Sequence, residues 1–168
     1  MDREFAQFGK ITIITGDGVG KTTLSIGIAI RRIALGKRVL LLWFNRDALE
    51  QEEVDFLEKL KTINENWIFF ISDSCLDKGG MSDVREDQRH HAQSLLSIAR
   101  QVMDGGRYDV LILDEINPLL SLGVIPVDDF LNFLQSKPAY LELILTGSNC
   151  SDTVLRASDE VIEIKHDL

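Results

Sequence analysis

Ile11-Thr12-Ile13-Ile14-Thr15-Gly16-Asp17-Gly18-Val19-Gly20-Lys21-Thr22-Thr23 is the stretch on which the fold turns. The run from Ile11 to Thr15 is β-branched throughout and favours a strand buried on both faces. Glycines 16, 18 and 20 break that strand. From Lys21 onward the apolar residues fall at three- and four-residue spacing, as on a core-facing helix. Strand, glycine turn and helix in that order make an anion site. The glycines permit torsions that turn successive backbone N–H groups inward, and the helix start adds its positive dipole end. Lys21 supplies a mobile cation for the outer phosphates, and the Thr22 hydroxyl is placed to ligate Mg²⁺. The expected cradle for ATP or a related triphosphate is therefore Gly16, Asp17, Gly18, Val19, Gly20, Lys21, Thr22 and Thr23. Asp17 is the awkward member: a carboxylate beside a triphosphate costs electrostatic energy unless it turns outward or meets the metal.

Outward from this loop, short aliphatic runs alternate with longer amphipathic stretches. Lys10 to Thr15, Arg38 to Phe44, Trp67 to Ile71, Asp109 to Leu113, Leu141 to Thr146 and Glu160 to Ile164 read as strands. Between them, Lys21 to Leu35, Leu49 to Lys61, Asp83 to Met103, Val127 to Leu134 and Ser151 to Ala157 read as helices. Gly36, Gly105-Gly106 and Pro126 stand at the expected stops and starts. Near-continuous apolar strands such as Val110-Leu111-Ile112-Leu113 imply helices on both sides of a parallel sheet. The expected fold is an α/β, P-loop NTPase-like three-layer sandwich with a mostly parallel sheet of about six strands. Residues 1–168 have room for one such domain. The polar stretch Ser72 to Asp87, with Gly79-Gly80, is a candidate lid or an ordinary surface loop at the carboxyl edge of the sheet.

The second chemical signal is Tyr108-Asp109-Val110-Leu111-Ile112-Leu113-Asp114-Glu115, a buried strand ending in two acids. An acid at a strand terminus beside a phosphate loop can reach the Mg²⁺ shell. Asp114 is the first choice, with Glu115 holding a metal-bound water or, in a hydrolase, orienting the attacking water. The metal set is thus Thr22, Asp114 and Glu115, and the catalytic candidates are Lys21 and Glu115. Adjacent His90 and His91 point in different directions on a helix, so they read as a solvated face. Trp43 and Phe44 end the second strand at the ligand edge, where they either contact a ligand or pack in the core. Arg46 follows them in what reads as a surface loop.

A net charge of −9 disfavours a general affinity for nucleic acid or an anionic membrane. No apolar run reaches the ~18 residues of a membrane helix. The start, Met1 to Gln7, lacks the basic and apolar regions of a signal peptide. Cys75 and Cys150 lie far apart and form no disulfide or zinc pattern, so a reducing cytoplasm is the default compartment.

The whole pattern resembles the ATP:corrinoid adenosyltransferase family, whose loop reads Thr-Gly-Asn-Gly-Lys-Gly-Lys-Thr-Thr and shares the non-glycine start at Thr15. Gly36-Lys37-Arg38-Val39 entering a strand, Leu113-Asp114-Glu115, Thr146-Gly147, Ala157-Ser158-Asp159-Glu160-Val161 and Lys165-His166 follow in the family's order. Asp17 and Val19 stand where the family has asparagine and lysine. Ile116-Asn117-Pro118 replaces its Leu-Thr-Tyr, and Ser148 its arginine. The stretch Ser72 to Asp83 lacks the family's aromatic residues. The resemblance implies MgATP and a reduced corrinoid as substrates: the cobalt attacks the ribose C5′ and triphosphate leaves. It makes the loop the leaving-group cradle, puts Asp114 and Glu115 around the metal, and implies a homodimer. The residues by themselves leave open two other activities, a regulatory nucleotide-binding module and an NTPase. No guanine-reading Asn-Lys-x-Asp motif is present.

Overall fold

The computed structural model describes residues 9–45, 51–63, 65–71 and 81–166. Met1 to Gln7, Arg46, Cys75 and residues 72–80 of the candidate lid lie outside them, while residues 81–87 of that stretch are helical. Along the chain run β1 (Ile11–Thr15), α1 (Lys21–Ala34), β2 (Val39–Trp43), α2 (Gln51–Ile63), β3 (Trp67–Ile71) and α3 (Met81–Gly105). They are followed by β4 (Val110–Asp114), α4 (Ile116–Ser121), α5 (Val127–Gln135), β5 (Glu142–Thr146), α6 (Asp152–Leu155) and β6 (Glu160–Glu163).

The strands form one six-stranded sheet in the order β3-β2-β4-β5-β1-β6, and every pairing is parallel. Parallel neighbours need crossovers, which the helices supply. Because side chains alternate across a strand, each apolar run feeds two cores. Leu40, Leu42, Leu111, Leu113, Leu143 and Leu145 pack under α3, α4 and α5. Val39, Leu41, Trp43, Val110, Ile112 and Ile144 pack under α1 and α2. Five consecutive buried residues in β4 are therefore a requirement of the three-layer arrangement. Truncating one of them, as in Leu111→Ala, is a loss of about 2–5 kcal/mol for a fully buried leucine.

Helix ends follow local chemistry. Gly36 (φ 75°) and Gly106 (φ 62°) take the left-handed conformation that closes α1 and α3. Two differences from the sequence expectation matter. Helix α3 starts at Met81 rather than Asp83, and α4 was not expected at all. Pro118 sits in the first turn of α4, where the missing N–H would have no helical partner in any case.

All strands run in one direction, so the carboxyl ends of β1, β4 and β5 share one edge. The glycine loop after β1, the acid pair and Thr146 are thereby brought together.

Candidate active site

The loop between β1 and α1 holds its shape for a different reason at each glycine. Gly20 has φ 103° and open space around it, so only its torsion demands glycine. Gly16 has φ 106°, and a Cβ there would also collide with the Ile164 carbonyl. Gly18 has no such torsion, but a Cβ would lie 2.8 Å from the Lys165 backbone. The sequence reading gave all three glycines one role; close packing against the segment after β6 is a second.

Lys21 donates from Nζ to the carbonyls of Gly16 (3.0 Å) and Gly18 (2.6 Å), so its ammonium spans the loop. Val19 is 87% exposed and offers the site only its backbone. Thr23 is exposed on α1. Asp17 does turn outward, accepting the His166 N–H at 3.2 Å.

Asp114 is fully buried at the end of β4 and accepts three hydroxyl hydrogen bonds. Thr22 donates at 2.9 Å, Ser25 at 3.2 Å and Thr146 at 2.8 Å. Burial pushes this carboxyl above its ordinary range, and the three hydroxyls together with Lys21 oppose the rise. Glu115 is also raised, first by burial and then by the neighbouring Asp114 charge. Its backbone is left-handed (φ 60°, ψ 32°), a conformation that costs a non-glycine residue about 1–2 kcal/mol. The N–H of Glu115 donates to Thr146 Oγ1 at 2.9 Å. One threonine hydroxyl thus accepts from Glu115 and donates to Asp114.

Ser25 and Thr146 were not among the candidate site residues. Ser25 had a signal, since it lies one helical turn after Thr22 and so on the same face. Asn117 fixes the neighbouring turn: its amide donates to the Gly147 carbonyl at 2.9 Å, while its buried Oδ1 has no partner among the described residues. Trp43 and Phe44 belong to the core, Trp43 with its buried Nε1 unpartnered among the described residues. On α3 His90 is exposed and His91 half-buried, so the reading of the pair as a solvated face holds for His90 alone. Beside the loop opens a cleft of about 490 Å³ lined by residues including Asp17, Ser148, Asn149 and His166.

Residues 7–167 match the family model for ATP:corrinoid adenosyltransferase BtuR/CobO/CobP. The chain belongs to the ATP:corrinoid adenosyltransferase family. Corrinoid adenosyltransferase from Escherichia coli K12 is 26% identical over 165 residues, covering 94% of this chain and 76% of that protein. The Salmonella typhimurium enzyme CobA is 24% identical with the same coverage. An uncharacterized protein from Nostoc sp. is 31% identical over 165 residues, and the chain spans 44% of its length. Among solved structures, the flagellar accessory protein FlaH from Methanocaldococcus jannaschii superposes with a TM-score of 0.62 at 16% identity. That match covers 93% of this chain and 71% of FlaH. A KaiC-like protein from Pyrococcus horikoshii gives 0.61 at 15% identity, over 94% of this chain and 72% of that one. At such identities the likeness is one of fold, and it places this adenosyltransferase family member among P-loop NTPase-like sandwiches.

Proposed function

We propose that this protein is a single-domain corrinoid adenosyltransferase that binds MgATP and transfers its 5′-deoxyadenosyl group to the cobalt of a reduced corrinoid. The carrying observation is the convergence of Lys21, Thr22 and Asp114 at one sheet edge in a chain of this family. In the transfer, the cobalt electron pair forms a bond to C5′, the bond from C5′ to the bridging oxygen breaks, and triphosphate leaves. The leaving group carries the developing charge, so the protein's part is chiefly electrostatic. Loop N–H groups and the Lys21 ammonium hold the departing oxygens; no protein nucleophile is needed.

The donor set suits Mg²⁺. Thr22, Asp114 and Glu115 offer hard oxygen ligands, and a half-buried acid beside a buried one is relieved by a divalent cation. Two carboxylates and a hydroxyl leave further positions to phosphate oxygens and water, the usual arrangement for this ion. Bound there, Mg²⁺ would supply charge neutralisation to the phosphates. Thr146 and Ser25 keep Asp114 oriented, and Thr146 holds the Glu115 backbone.

Incubation with ATP, Mg²⁺ and chemically reduced corrinoid tests the reading. Adenosylated corrinoid and triphosphate in equal amounts are expected, and Lys21→Ala abolishes both. Phosphate release without corrinoid would make the protein an NTPase. Tight ATP binding with neither product would make it a regulatory module.

A further inference from the structure

The parallel ladder between β1 and β6 does not stop where β6 ends. Ile164 donates its N–H to the Thr15 carbonyl at 2.8 Å, and Gly18 donates its N–H to the Ile164 carbonyl at 2.9 Å. Two residues on, the His166 N–H faces a backbone that has turned away into the loop. It donates instead to Asp17 Oδ1 at 3.2 Å. The carboxylate takes the place of the next ladder carbonyl. Packing follows the same line, since Gly16 and Gly18 lie too close to Ile164 and Lys165 to admit a Cβ. Lys165 is engaged with Glu163 at 3.3 Å, so Asp17 acts here through the His166 amide.

We propose that Ile164 to His166 form a clasp that presets the phosphate loop, with Asp17 as its positioning residue. This rests on the reading of that loop as a phosphate site. A ring of backbone N–H groups binds an anion well only if its torsions are ordered beforehand, because ordering them on binding subtracts from affinity. Residues 16–20 have no regular structure of their own. The clasp supplies that order from outside, and it gives the carboxylate at position 17 a task that offsets its repulsion of phosphate.

Charge alone and the clasp predict different orders of affinity among the variants. If Asp17 acted only through its charge, Asp17→Ala and Asp17→Asn would both tighten phosphate binding, and equally. With the clasp, Asp17→Asn keeps an acceptor for His166 and binds at least as tightly as the wild type. Asp17→Ala then binds about three- to tenfold more weakly than Asp17→Asn, as the loss of one hydrogen bond implies. His166→Pro, which lacks the N–H, shows the same loss, and combining it with Asp17→Ala adds little. Calorimetric titration with inorganic tripolyphosphate and with MgATP reads these affinities, and hydrogen exchange at the Gly18 amide reports the loop directly, rising in Asp17→Ala. Equal affinity of the Ala and Asn variants, or wild-type affinity in His166→Pro, would overturn the clasp while leaving the phosphate site standing. Failure of the wild-type protein to bind tripolyphosphate and MgATP would overturn both.

Discussion

Thr22 donates a 2.9 Å hydrogen bond to the buried carboxylate of Asp114, tying the first turn of α1 to the end of β4. The proposed phosphate-binding and metal-binding elements are therefore mechanically one unit. Changes to either should be felt by both.

Asp114 makes that unit pH-sensitive. The folded state raises the Asp114 and Glu115 carboxyls above their ordinary values of 3.8 and 4.5. A raised acid is fully compatible with folding below its unfolded pKa and costs stability as pH rises through the folded one, because the unfolded chain then ionises more readily. Without divalent cation, stability measured by urea unfolding should decline as pH climbs from 4.5 through these raised values. Asp114→Asn should flatten that decline and abolish the tightening of ATP binding by Mg²⁺. An unchanged slope in the variant would contradict the assignment. Asp109, held below its ordinary value by Arg38 against the pull of burial, contributes in the opposite direction and only at lower pH.

Glu115 combines a strained backbone with a place in the proposed metal site. Glu115→Gly should relieve the left-handed strain, partly offset by the greater entropy of the unfolded chain, and leave stability unchanged or raised by up to ~1 kcal/mol. Adenosyl transfer should fall about a hundredfold, in line with the loss of an electrostatic group from a site. Thermal unfolding beside the transfer assay distinguishes this from a folding defect. Glu115→Ala, which keeps the strain, should be the less stable of the two.

Thr146 is tested by shape-conserving substitution. Thr146→Val preserves volume but leaves the Glu115 N–H and one Asp114 oxygen short of a partner, a cost of about 1–3 kcal/mol in urea unfolding. Thr146→Ser should restore most of it. Equal stability of the Val and Ser variants would remove Thr146 from the network.

The strands were legible because parallel strands between two helical layers must be apolar on both faces, so Val110 to Leu113 carries its own diagnosis. The strand, glycine turn and helix around residues 11–23 and the place of the acid pair at a strand end were legible for a similar reason, since few backbone geometries use those residue types in that order. Helix α4 was not, because six residues containing Asn117 and Pro118 are too few to show a period. Thr146 was quoted only as part of a family match; its hydroxyl gains meaning when β5 inserts between β1 and β4. Charge left two alternatives for Asp17, an outward turn or contact with the metal; its partner in the outward turn, a backbone amide at His166, carries no side-chain signature.

The insertion of β5 also sets the spacing of the proposed site. Within the sheet, β1 and β4, which carry its two halves, are joined through a strand spanning residues 142–146. A chain lacking those residues would rely on helix contacts, such as Thr22 with Asp114, to hold the lysine and the acids at a fixed distance. A fragment ending at Gln135 should therefore bind ATP far more weakly than the full chain.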